Sequence, residues 1–148
     1  MYKSMLVPTD GSKLSAKAVK QAMKFAAAIG AKVTALYVMP EYQMIVDEGY
    51  ALPSMISLKK RFDEEAGNRA KAILDEVRAE AASARVECQC ISIAGAAPWE
   101  MIIKHASKQK CDLIMMASHG RKGLQSLLLG SETAKVLVHS KIPVLVVR

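Results

Sequence analysis

Five short strand-like runs, the first four followed by turn-forming residues, alternate along the chain with four segments whose apolar residues recur at three and four. Strand and helix in repeated turn require right-handed crossovers, which predicts a doubly wound α/β/α sandwich around a five-stranded, mostly parallel sheet. The first run, Met5-Leu6-Val7 within residues 3–8, stops at Pro8-Thr9-Asp10-Gly11-Ser12. Ser12 or Ser15 then caps a helix that carries Ala18, Ala22, Phe25, Ala26 and Ile29 on one face and ends at Gly30. A second strand spans residues 32–39. Residues 41–57 lose periodicity and form a long connection, read as a lid, an interface or a disordered insert. The longest helix follows over 58–84. Residues 85–93 give a weaker strand whose half-polar alternation suits a sheet edge. A helix from Trp99 to about Lys110, a nearly all-apolar strand over 112–117, a glycine-bounded segment over 120–130, a last helix over 131–140 and a strand over 142–147 complete the chain.

At 148 residues and 51% apolar, the chain is sized for one core, so residues 1–148 are expected to form a single domain. No stretch approaches the roughly 18 apolar residues of a membrane span, and the start lacks a basic segment followed by a long apolar one, which predicts a soluble cytoplasmic protein with no membrane partner. Three cysteines are too few for a disulfide framework and lack paired zinc spacing, so reduced thiols are expected. Cys88 and Cys90 share a strand face about 6.6 Å apart, near the outer limit for a bridge, which favours packing over redox catalysis. The net charge of +7 admits anionic ligands. With 5% aromatic residues there is no aromatic-basic interleaving for base stacking, and nucleic acid is not predicted as a partner.

The expected strand order is 3-2-1-4-5, with 2-1-3-4-5 as the alternative. In the first, strands one and four are neighbours whose connections diverge, and a ligand crevice opens beyond their carboxyl ends between Asp10 and residues 117–131. There, Gly120, Gly130 and Ser131 have the ingredients of an anion nest at a helix start, with Arg121 and Lys122 as added charge. The same glycines could simply make turns and Ser131 cap the helix. Asp10 could accept from ribose hydroxyls, or form a turn or cap. Neither a Walker-type sequence nor GxGxxG after strand one occurs, which disfavours a standard phosphate loop or dinucleotide site.

The spacing Ala117-x2-Gly120-x9-Gly130-Ser131, followed by Glu132 and Thr133, together with the opening Pro8-Thr9-Asp10-Gly11-Ser12 and the closing Ile142-Pro143-Val144-Leu145-Val146-Val147, resembles the universal stress protein family in its ATP-binding branch. The resemblance spans essentially residues 2–148 and departs at Ala117, where that branch has its first glycine. It implies that Asp10 holds ribose, that the backbone at Thr9 and Val38 borders adenine, and that main-chain groups of Gly120, Gly130, Ser131 and Glu132 surround the phosphates. Pro8, Ala117, His119, Arg121 and Thr133 complete the implied site. The cofactor so implied is ATP, with magnesium or manganese as a companion of its phosphates, and the implied assembly is a homodimer through residues 143–147. An uncovered apolar edge strand argues for some partner there on its own. Alanine at 117 is tolerable at negative φ and strained at positive φ.

The function expected is that of an adenine-nucleotide-binding stress-response or signalling homodimer, not a dedicated enzyme. The alternatives are a slow ATP hydrolase and a nucleotide-free dimeric interaction protein. His119 is the one histidine in the candidate loop; His105 and His139 read as surface or supporting residues. Ser118 and His119 are expected to diverge and not to form a catalytic pair. Asp10 and Asp112 are candidate helpers of a metal ion, and no dedicated metal cage is expected.

Overall fold

In the computed structural model, which describes residues 1–44, 49–50, 52–120 and 129–148, nine elements follow one another. They are β1 (Ser4–Pro8), α1 (Lys13–Ile29), β2 (Lys32–Met39), α2 (Pro53–Ala84), β3 (Cys88–Ala94), α3 (Pro98–Lys108), β4 (Leu113–Ala117), α4 (Ser131–His139) and β5 (Val144–Val147). The strands pair in the order β3-β2-β1-β4-β5, and every pairing is parallel. The weak third run is indeed an edge strand.

Alternation along the strands explains why the central runs are apolar throughout. Met5 and Val7 on β1, with Val33 and Ala35 on β2, pack against Ala18, Ala22 and Met23 of α1 and Val77 and Ala81 of α2. Leu6, Leu36, Ile114 and Met116 point to the other face, against Ile102 and Ala106 of α3 and Val136 of α4. A strand covered on both sides has no solvent face to make polar. Met5, Leu6 and Val7 are fully buried, each worth about 1.5–3 kcal/mol of transfer free energy.

Element ends depart from the sequence expectation where backbone geometry, which periodicity does not report, decides. α2 begins at Pro53 and not at Leu58, with proline in the permitted first turn. Its first buried side chain is Ala70, so its opening turns show no core-facing pattern to read. The helical start shortens the connection expected over 41–57, of which residues 45–48 and 51 lie outside the described set. β3 begins at Cys88 and not at Arg85, because Arg85 is left-handed (φ 54°) and donates its N–H to the carbonyls of Ala81 and Ala82, closing α2. Left-handed Lys110 (φ 53°) likewise follows α3, which ends at Lys108. β5 starts at Val144 because Ser140 and Ile142 close on each other: the hydroxyl donates to the Ile142 carbonyl at 2.8 Å and accepts the Ile142 N–H at 3.0 Å. Of the two serines able to cap α1, Ser12 does so, its hydroxyl accepting the Ser15 N–H at 3.2 Å.

Candidate functional site

β1 and β4 lie side by side, yet β1 leads into α1 on one face and β4 leads to α4 on the other. Where two such chains part, a parallel sheet opens. The crevice there encloses about 550 Å³, within the range of small-molecule sites.

Pro8, Thr9 and Asp10 form the wall at the end of β1, and Val38 comes from the end of β2. Ala117, His119 and Gly120 follow from β4, and Gly130, Ser131, Glu132 and Thr133 from the start of α4. The structure thus brings together every described residue of the expected set; Arg121 lies outside the described residues. Sequence reasoning missed Ser15, Leu36, Ala96, Pro98, Ile102 and Met116, which also line the crevice. Ala96 and Pro98 carried a signal: their cluster ends β3 as Pro8 to Ser12 ends β1, and all carboxyl ends of a parallel sheet share one side. Leu36, Ile102 and Met116 supply an apolar floor.

The two lips touch at Asp10 and Gly120. The Asp10 carboxylate accepts the Ser12 N–H at 2.9 Å, which holds it in a turn at the α1 N-terminus. A Cβ at residue 120 would fall on Asp10 Oδ2, so any larger residue there must push the Asp10 side chain aside. Thr9 is held in place by both its backbone and its side chain. Its N–H donates to the Leu36 carbonyl at 2.9 Å and its hydroxyl shares a 3.0 Å hydrogen bond with Ser15.

Gly130, and not Ser131, is the N-cap of α4, and having no side chain it makes no side-chain cap hydrogen bond. Its N–H donates to the Ser118 carbonyl at 2.8 Å, and a Cβ would lie 2.9 Å from the His119 Cα. Ser118 in turn donates its own N–H to the Val147 carbonyl at 2.8 Å. Ser131 therefore sits in the first turn, where helix N–H groups have no intrahelical acceptor and favour an anion. The Thr133 hydroxyl donates to the Ala117 carbonyl at 3.0 Å, locking α4 to the end of β4. Glu132 turns away from the helix start: its carboxylate accepts the Trp99 N–H at 2.8 Å, at the start of α3.

Ala117 is the last residue of β4, and the positive-φ residues other than glycine are Arg85 and Lys110 among the described residues. Its methyl group is therefore carried without backbone strain. Ser118 and His119 do not diverge as expected. The chain bends after β4 and brings Ser118 Oγ to 3.1 Å from His119 Nδ1. His105 Nδ1 lies 3.1 Å from the Met101 carbonyl on its own helix, and His139 stacks on Trp99 at 4.7 Å between ring centroids. Asp112 is removed from any metal role at this site: it accepts the N–H groups of Lys3 and Ser4 at 2.8 and 3.1 Å, at the opposite end of β1. Among the described residues, no group of three or more His, Cys, Asp or Glu side chains is arranged to hold a metal ion.

The sequence model of the universal stress protein family matches residues 1–148. The chain belongs to that family. Among curated universal stress proteins it is 32% identical to MJ0531 of Methanocaldococcus jannaschii, over 100% of this chain and 83% of the relative. Among solved structures, that of MJ0577 superposes with a TM-score of 0.83 at 31% identity, covering 99% of this chain and 96% of the other. A universal stress protein in complex with cAMP gives a TM-score of 0.72 at 31% identity, over 99% and 97% of the two chains. The universal stress protein fold accounts for the strand order and the split between β1 and β4. No helix among the described residues is long and apolar enough to cross a membrane.

Proposed function

We propose that this universal stress protein binds ATP in the crevice between β1 and β4 and acts as a nucleotide-responsive homodimer in stress response or signalling, not as a dedicated enzyme. One observation carries the reading. A carboxylate acceptor, Asp10, stands opposite the first turn of α4 at Ser131, across an apolar floor. That sequence of surfaces matches a nucleotide: hydroxyl donors of ribose toward Asp10, the base on Val38, Leu36 and Met116, phosphates toward the N–H groups of Ser131, Glu132 and Thr133. Gly120 and Gly130 admit this arrangement because a Cβ at either would collide with the opposing lip or with backbone. The related universal stress protein in complex with cAMP supports an adenine nucleotide as the ligand class.

Magnesium or manganese would travel on the phosphates, since the described residues offer no cage of their own. A second copy would pair along residues 143–147, where β5 leaves a sheet edge with Leu145 41% exposed. A cytoplasmic location agrees with three unpaired cysteines.

Native mass spectrometry of freshly purified protein, followed by titration of stripped protein with ATP, ADP, AMP and cAMP in the presence of magnesium, tests the proposal. A dimer that binds ATP, with affinity falling at least about ten-fold in Asp10→Ala, is the result expected. A folded dimer that binds none of the four would leave a nucleotide-free interaction protein. Product formation in the same titration would instead establish the hydrolase reading.

A further inference from the structure

While α1 turns its apolar side to the sheet, its outer side carries charge of one sign only. Lys13, Lys17, Lys20 and Lys24 follow one another at intervals of four, three and four, and all are exposed. At 3.6 residues per turn they fall within about 60° of arc, in a straight row about 16 Å long. No acidic residue occurs anywhere on α1, so this helix carries four of the chain's 21 lysines and arginines and none of its 14 acids. Beside the lysines, its exposed positions are Ala16, Gln21, Ala27 and Ala28.

Folding alone does not call for this row. Like charges three or four apart on a helix repel one another, and Lys13 and Lys17 lie near the N-terminal end, where the helix dipole disfavours cations. Among the described residues, every ion pair lies on other elements, and none relieves the row. Lys17 Nζ donates instead to the Arg148 carbonyl at 2.8 Å, which brings a fifth basic residue, at the end of β5, up to α1.

We propose that the exposed face of α1 binds the phosphate backbone of a nucleic-acid duplex without reading its sequence. Each strand of a duplex carries a charge about every 3.4 Å along its axis, more closely than the lysines are spaced, so each lysine of a straight row can meet a phosphate. Alanines between the lysines leave nothing to hold that ridge away. What the face lacks separates this partner from other polyanions. An anionic membrane holds a surface helix by large apolar side chains sunk among the headgroups, and here the exposed apolar residues are alanines. A plane laid on this layer would also meet exposed Asp75 and Glu76 of α2, the helix that covers the same side of the sheet. An acidic protein would need an apolar or aromatic centre to dock on, and the face offers none. Duplex backbone binding runs on counterion release and needs no apolar contact. The scarcity of aromatic residues argues against stacking on bases, not against contacts that leave the bases paired.

The test is the fluorescence anisotropy of a labelled DNA duplex of about 20 base pairs, titrated with the whole chain from about 20 to 200 mM salt. Log affinity should fall linearly with log salt, with a slope of about −3 to −4 for one engaged row, and a scrambled duplex should give the same line. Lys17→Gln/Lys20→Gln should halve the slope and lower affinity about ten-fold or more at low salt, and Lys20→Gln alone should reduce the slope by about 0.9. Lys104→Gln/Lys108→Gln removes the same charge from exposed positions of α3, on the other side of the sheet, and should leave the slope unchanged. Removing like charges from α1 relieves repulsion, so the variants keep the fold, which circular dichroism checks. Equal losses in the α1 and α3 variants would reduce the binding to bulk net charge and overturn the site. Absence of duplex binding at the lowest salt would overturn it as well, and so would binding to phosphatidylserine vesicles in place of the duplex.

Discussion

The Glu132 carboxylate accepts the backbone N–H of Trp99 at 2.8 Å, so a side chain from the first turn of α4 caps the first turn of α3. Trp99 is the second residue of its helix, and its N–H has no acceptor within that helix. Charge-assisted bonds of this kind are worth about 1.5–3 kcal/mol. Glu132→Ala should lower the thermal midpoint by about 3–8 °C, and Glu132→Gln, which keeps an acceptor, by clearly less. Equal midpoints for both variants and wild type would mean that water caps α3 equally well.

Gly120→Ala directs its new methyl group onto Asp10 Oδ2, the movable end of a side chain. The fold should tolerate this at a cost near about 1 kcal/mol, because Asp10 can rotate away from Ser12. Nucleotide affinity by calorimetry should fall much further than stability, about ten-fold or more, since the displaced group is the proposed ribose acceptor. Full affinity would remove Asp10 from that role.

Gly130→Val meets backbone instead, at the His119 Cα and the Ser118 carbonyl, and neither can rotate aside. A destabilisation of about 1–3 kcal/mol is expected in urea unfolding, together with loss of ATP binding in the folded fraction. A folded variant with wild-type affinity would rule out phosphates at the start of α4.

Leu145→Glu places a charge in the middle of β5 without touching the crevice. Sedimentation should report a monomer at concentrations where the wild type is a dimer. An unchanged dimer would move the interface elsewhere.

Much of this architecture could be read before any coordinates, for a physical reason. Met5-Leu6-Val7 and Leu113 to Ala117 are covered on both faces, and that condition leaves an unbroken apolar run. Topology then placed Asp10 opposite Gly130. What escaped was set by backbone conformation or by contacts between distant residues. Arg85 ends α2 in a left-handed turn that glycine usually marks. The first turns of α2 bury nothing, so Pro53 carried no amphipathic signal. The docking of Glu132 onto Trp99 joins residues 33 positions apart, beyond the reach of any local pattern.

Ser118 has one peptide unit on each side of its Cα, and the two are committed in opposite directions. Its N–H holds the Val147 carbonyl on β5, and its carbonyl holds the Gly130 N–H at the mouth of α4. The outer strand and the helix that faces the crevice therefore hang from a common hinge pin. Any sliding of β5 along its own axis must either break the first bond or tow the start of α4 with it. Geometry at the rim of the sheet and geometry at the anion-facing turn are, in this chain, a single mechanical variable.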